Sequence, residues 1–227
     1  MQEQLPLKLA LRDDCTLDTF YPGDNQQALT QIKQMAQGRG ELFVYLWGRE
    51  GVGRTHLLQG ACYSAQRRGA VYLSFADALQ SPRVLEGLER LELVCLDDLE
   101  KMAGLPLWEE AFFHLYNRLR AVNRRLLVAA ACAPKALPVQ LADLQSRLTW
   151  GITYQLQPLN DEQLLAALQL RAKERGLVLT QEVGTFLIRR CTRSMPDLYL
   201  LLEKLDKASL VAQRRLTIPF IKSVLIL

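Results

Sequence analysis

No stretch of the chain approaches the roughly 18 consecutive apolar residues that a membrane-spanning helix needs, although hydrophobic residues make up 49% of it. No Lys/Arg cluster precedes the first leucines, and acidic Glu3 stands there instead, so the start makes a poor secretory signal. No C-x-x-C occurs. The five cysteines (Cys15, Cys62, Cys95, Cys132, Cys191) are scattered singly and read as reduced thiols of a cytoplasmic protein, not as disulfides or zinc ligands. There are two histidines, His56 and His114, far apart and without metal-ligand spacing, and both read as structural. Repeats and low-complexity linkers are absent. Neither sign of charge dominates: 28 Lys and Arg against 24 Asp and Glu give +4, too weak by itself to establish a nucleic-acid partner. What remains is an ordinary globular composition over 227 residues, enough for one large domain or one domain with a small helical companion.

Along the chain, strand and helix patterns alternate up to Pro158. Turn-rich "FYPGDN" leads into a helix beginning near Asn25. "ELFVYLW" (41–47) is a β-rich apolar run suited to a strand buried on both faces. A helix stopped by Gly69 follows, then strand "AVYLSF", helix "VLEGLERL" (84–91), and strand "LELVCLDDLE" ending in two acids. Amphipathic helix "LWEEAFFHLYNRLRAV", strand "RRLLVAAACAP", short helix "LADLQSRLTWG" and strand "TYQLQPL" complete the series. The alternation predicts a parallel five-stranded sheet between helices. From Asn160 onward the pattern is all helical. Asn160 and the Thr residues of "LTQEV" and "LTIPF" serve as N-caps, and Pro219 stands just inside the last helix. The predicted organisation is an extended tail (1–15), an α/β nucleotide-binding domain (16–158) and a helical lid (159–227).

Between the first strand and its helix lies "GREGVGRT". It fits G-x-x-x-x-G-[K]-[ST] at Gly48, Gly53 and Thr55, with Arg54 in the lysine place. Such a loop needs glycines so that backbone N–H groups can curl around phosphate oxygens, a cation for the phosphates, and a hydroxyl for Mg²⁺. The helix that follows adds its positive N-terminal end. Taken alone, with arginine for lysine, the motif is only a glycine-rich turn; a strand before it and a helix after it give it meaning. A second element supports it: "LVCLDD" puts Asp97 and Asp98 at the carboxyl end of a buried strand, where a carboxylate can hold Mg²⁺ or its waters. "LQSRLTWG" places Arg147 on a short helix after the fourth strand. There AAA+ proteins offer an arginine finger to the γ-phosphate of a neighbouring subunit, whereas without a P-loop it would be an ordinary surface arginine.

Together "FYPGDN", "GREGVGRTHLL", "LVCLDDLE", "LWEEAFFHLYNR", "SRLTWG" and "LTIPFIKSVL" resemble the AAA+ core of the bacterial replication initiator DnaA. They resemble more closely the short regulatory paralogues of DnaA, the Hda family, and the likeness spans essentially the whole chain. The resemblance implies an AAA+ P-loop core with a C-terminal helical lid. It also offers a reading of the N-terminal "QEQLPLKLAL", whose Leu5, Leu7, Leu9 and Leu11 alternate with other residues. In an extended chain they share one side, which suits either an edge strand or a peptide for another protein's groove. "QLPLKL" resembles the motif by which the Hda family engages the DNA polymerase III sliding clamp (β subunit), with Gln4, Leu5, Leu7 and Leu9 in the motif places.

The implied function is negative regulation of replication initiation. An ADP-bound protein docks on the DNA-loaded clamp and offers Arg147 to the ATP held by DnaA, which is hydrolysed to ADP. The chain's own ATPase activity is expected to be weak or absent, and its contact with DNA indirect, through the clamp. The implied nucleotide-binding residues are Tyr21, Pro22, Asn25, Gly48, Gly51, Val52, Gly53, Arg54, Thr55, His56, Asp97 and Asp98, with Thr55 and Asp97 as ligands for any Mg²⁺. No membrane is involved, and a homo-oligomer is compatible with an arginine-finger protein. Because the lid segment runs to Leu227, the DNA-reading domain of DnaA is not expected. Three departures bear on the mechanism. Arg54 suits a static phosphate contact better than a point charge following a transferring phosphoryl. Ala131 and Cys132 stand at the sensor-1 place, and Pro196 at the sensor-2 place, where polar groups are expected. The alternatives are a helicase-loader-type DNA-associated ATPase, which leaves "QLPLKL" without a role, and a small-acceptor phosphotransferase, which the departures disfavour.

Overall fold

A computed structural model describes residues 15–78 and 81–225. The N-terminal motif Gln4, Leu5, Leu7, Leu9 lies outside the described residues. The chain forms two compact units, one of residues 15–17 and 25–156, the other of residues 18–24 and 157–225. Among the described residues no helix is long and apolar enough to cross a membrane.

The first unit runs α1 (Gln26–Ala36), β1 (Phe43–Trp47), α2 (Arg54–Ala65), β2 (Ala70–Ser74), α3 (Phe75–Ala78), β3 (Leu93–Asp97), α4 (Pro106–Ala121), β4 (Arg125–Ala130), α5 (Ala142–Leu148) and β5 (Ile152–Gln155). The strands pair in parallel in the order β2-β3-β4-β1-β5. The central strands are sealed on both faces: Val44, Tyr45, Leu46, Val94, Cys95, Leu96, Leu127, Val128 and Ala129 are fully buried. This is why their sequences read as continuous apolar runs and not as alternations. Edge strand β5 is largely exposed.

Strand order fixes where chemistry can gather. β1 and β3 are separated only by β4, so the loop after β1 and the acids ending β3 emerge at one end of the sheet. Ligands of open parallel sheets bind at that carboxyl end. The amino end carries different residues. Val44 pairs with Ile152, so Trp150 and Gly151 lie beside the start of β1. A Cβ on Gly151 would come within 2.3 Å of the Phe43 ring, so only glycine lets the chain turn into β5 there.

One expected helix is replaced. Residues 84–91 form two 3-10 turns, Pro82–Leu85 and Leu88–Arg90, in place of an α-helix. Gly87 breaks them with φ +78, and α4 holds the segment through Arg118, which donates to the Leu85 carbonyl at 3.1 Å and to Glu89 at 3.0 Å. Leu85 and Leu88 are buried either way, so apolar spacing alone did not distinguish the two conformations.

The second unit contains α6 (Asp161–Glu174), α7 (Gln181–Arg190), α8 (Met195–Ala212) and α9 (Ile218–Leu225) around a core of Leu168, Leu187, Leu198, Leu202, Leu205 and Ile221. Three of its helices start where the sequence places caps. Asn160 forms a reciprocal capping box with Gln163 and Thr180 accepts from the Val183 N–H; Ser194, which the sequence did not mark, accepts from the Asp197 N–H. Thr217 accepts from the Phe220 N–H at the start of α9.

Candidate functional site

The loop after β1 is shaped by glycine. Gly51 and Gly53 have φ of +79 and +96, in the left-handed region that other residues avoid, and Gly53 is the N-cap of α2. A side chain at Gly48 would fall 2.9 Å from the Leu156 carbonyl. The loop thus ends on the open N-terminus of a twelve-residue helix, a natural anion seat. Val52 is half-buried in it.

Opposite the loop, Asp97 is 1% exposed at the end of β3. Burial pushes its carboxyl above the usual range, and hydrogen bonds from the Thr55 hydroxyl, the Asp98 N–H and the Tyr72 hydroxyl oppose that rise. The Tyr72 hydroxyl donates to Oδ2 and the Asp98 N–H to Oδ1, each at 3.0 Å. The fold therefore brings together Thr55 and Asp97, residues 42 positions apart in sequence. A hydroxyl and a carboxylate side by side suit a hard cation that completes its shell with water and phosphate oxygens. Among the described residues no three His, Cys, Asp or Glu side chains group as a metal site of their own. Asp98 has left-handed backbone (φ 56) and accepts from the Ser74 hydroxyl at 2.7 Å.

Arg54 lies at the loop, its side chain 12% exposed, with Nη1 3.8 Å from Glu100 Oε1. Glu100 Oε2 accepts the Ala131 N–H at 3.0 Å, and the Tyr45 hydroxyl donates to the Cys132 carbonyl at 3.0 Å. These contacts occupy the end of β4, the expected sensor-1 place. His56 Nε2 is 2.8 Å from the Thr16 carbonyl, tying residues 15–17 to α2. The Thr16 and Leu17 backbone also packs on Gly60. Of the residues expected around the base, Asn25 is buried in the first unit, while Tyr21 and Pro22 belong to the second. Pro196 is in the first turn of α8.

Arg147 is placed differently. It closes α5, five residues before β5, at the amino end of the sheet. A strand of five residues spans about 17 Å, so the sheet itself separates Arg147 from the phosphate loop. Its guanidinium stacks 4.0 Å above the half-exposed Trp150 ring, and Arg120 lies 4.6 Å from the same ring. Arg147 Nε has no hydrogen-bond partner among the described residues. Phe43, Tyr116, Arg120, Arg124, Trp150 and Gly151 line a groove of about 280 Å³ beside it. Arg124 is paired with Glu92, and Arg118 is committed to Glu89 and Leu85.

The sequence missed a buried carboxylate that fixes this helix. Glu109, 1% exposed on α4, accepts the N–H groups of Gly104 (2.7 Å), Gln140 (3.0 Å) and Leu141 (2.8 Å). Two of those donors lead directly into α5. No local signal marks Glu109, which looks like any polar residue of an amphipathic helix. Trp150 and Glu100 were equally unmarked.

A parallel sheet in this order, with a glycine loop after β1, acids ending β3 and a helical C-terminal unit, defines an AAA+ P-loop protein with a lid domain. The chain belongs to the bacterial DnaA ATPase-domain family, whose model matches residues 11–155, and residues 161–225 match the Hda lid domain. It is thus a DnaA-related replication protein whose C-terminal unit matches an Hda-type lid. It is similar to AMPPCP-bound DnaA from Aquifex aeolicus (25% identity, TM-score 0.74, covering 88% of this chain and 67% of that one). Domain III of the Thermotoga maritima replication initiation protein DnaA is likewise similar (19%, TM-score 0.79, covering 94% and 96%). So is a replication initiator DnaA bound to AMPPCP and single-stranded DNA (24%, TM-score 0.73, covering 90% and 70%).

Proposed function

We propose that this chain is a negative regulator of replication initiation that binds ADP, docks on the DNA-loaded sliding clamp through Gln4, Leu5, Leu7 and Leu9, and supplies Arg147 in trans to the ATP held by DnaA. The observation that carries the reading is the separation of two halves of one chemistry. The phosphate-holding groups stand at the carboxyl end of the sheet and Arg147, whose buried Nε has no hydrogen-bond partner among the described residues, at the amino end. A cation that far from its own loop serves a neighbour's phosphate or none.

At the chain's own site, Gly48, Gly51, Val52, Gly53 and the first turn of α2 hold the phosphates through backbone N–H groups. Arg54 adds charge, and Thr55 and Asp97 hold Mg²⁺ where it is bound. Bound Mg²⁺ would neutralise phosphate charge. Asp98 supports the acid pair. Tyr21, Pro22 and Asn25 are proposed to read the base, and His56 fixes the chain beside the loop. The blocked end of β4 and the proline at the sensor-2 place favour a resident nucleotide over one that is turned over, so the activity is that of an activator. At Arg147 the Trp150 face holds the guanidinium by stacking, which consumes no N–H donor; Nε is buried there, so a phosphate would be met first by the terminal nitrogens. In a complex that excludes water, such a group stabilises the charge developing during phosphoryl transfer.

Reconstitution tests this. Labelled ATP is loaded on DnaA, and its hydrolysis followed with the clamp on DNA and this chain added. Hydrolysis should accelerate only when all components are present. Equal acceleration without the clamp removes the docking step, and none in the full mixture removes the function.

A further inference from the structure

Arg54 is the cation of the phosphate loop, yet in the fold its nearest charged partner is a carboxylate. Nη1 lies 3.8 Å from Glu100 Oε1 and makes no hydrogen bond among the described residues. The second oxygen of Glu100 is fixed by the Ala131 N–H at 3.0 Å, so the side chain is anchored at the end of β4 and not swinging in solvent. The neighbouring Cys132 carbonyl is taken by the Tyr45 hydroxyl. Burial raises the pKa of both Tyr45 and Cys132, which keeps these two groups neutral. Glu100 is the carboxylate within ion-pair range of the tip of Arg54, while Asp97 bonds to the neighbouring Thr55.

We propose that Glu100 sets the preference of this site for a nucleoside diphosphate over a triphosphate. This rests on the reading of the site as an ADP site. Any phosphate that reaches Arg54 comes within one side chain's length of Glu100. A third phosphate adds negative charge there and meets like charge. Glu100 also draws on the arginine that would otherwise compensate it. Two phosphates are served mainly by the backbone N–H groups of the loop and of the first turn of α2, whereas Glu100 pairs with the Arg54 side chain. A unit charge at this range, partly screened, is worth on the order of tenfold in binding.

The test is calorimetry on the full chain stripped of nucleotide, with ADP and with the non-hydrolysable triphosphate AMPPCP, both with Mg²⁺. Wild type should bind ADP more tightly. Glu100→Gln keeps an acceptor for the Ala131 N–H but loses the charge. It should raise AMPPCP affinity about tenfold while changing ADP affinity less than about threefold. Glu100→Asp keeps the charge and should keep the preference. If Glu100→Gln retains the wild-type preference, or both nucleotides shift equally, the inference falls and the diphosphate reading stands. If wild type itself shows no preference for ADP, both fall.

Discussion

Single residues divide into those with a pattern around them and those without. Gly48, Gly53, Thr55, Asp97 and Asp98 were legible because phosphate loops demand glycines at fixed spacing and acids at a strand end. Glu100, Glu109 and Trp150 were not, because Arg54, Gln140 and Arg120, their partners, lie 46, 31 and 30 residues away and only the fold makes them neighbours. The cysteines illustrate a property legible in outline. None of the five forms a disulfide, as their scatter suggested. Their reactivity follows from burial. Burial pushes the Cys62 thiol up to about 11 and Cys95 well above its usual value. The thiolate is the reactive form, so at pH 8 about one Cys62 in a thousand is ionised, and reactivity rises only as pH climbs toward the raised pKa. Alkylation at pH 8 should mark exposed Cys191 first and half-buried Cys132 more slowly. Cys15, Cys62 and Cys95 should react only in denaturant, a pattern read by peptide mass spectrometry.

At the scale of elements, three helices of the second unit were legible because Asn160, Thr180 and Thr217 announce their starts by local hydrogen bonding. The segment 84–91 was not, because what decides its form is Gly87 and a guanidinium from α4. On the proposed function the most consequential element is α5, since it carries Arg147. It is tied to α4 by one carboxylate that receives three backbone N–H groups. Glu109→Ala would strand those donors in a buried place, at a cost of about 3 kcal/mol. Denaturant unfolding should show that loss. Hydrogen exchange should locate it at Gly104, Gln140 and Leu141, and an unchanged exchange rate there would refute the anchoring role.

For the whole molecule, the AAA+ core with its lid was legible because a buried parallel sheet, a phosphate loop and a capped helical segment each leave a long signature. On the proposed function, the use of the molecule is a matter of partners. The tail should act as a docking peptide: Gln4→Ala with Leu5→Ala should abolish clamp binding and leave the thermal midpoint almost unchanged. A large fall in that midpoint would instead make the tail part of the fold. The central claim is that Arg147 works on a phosphate bound by another protein. An arginine finger supplied in trans is worth ~10³–10⁵ in rate, about 4–7 kcal/mol of barrier. Arg147→Lys keeps the charge but loses the planar fork and should rescue little. The direct measurement is turnover of DnaA-bound ATP with clamp and DNA present, comparing wild type, Arg147→Ala and Arg147→Lys. The account requires that Arg147→Ala fold, bind ADP and dock like wild type while its stimulation disappears; stimulation at the wild-type rate by Arg147→Ala would contradict it.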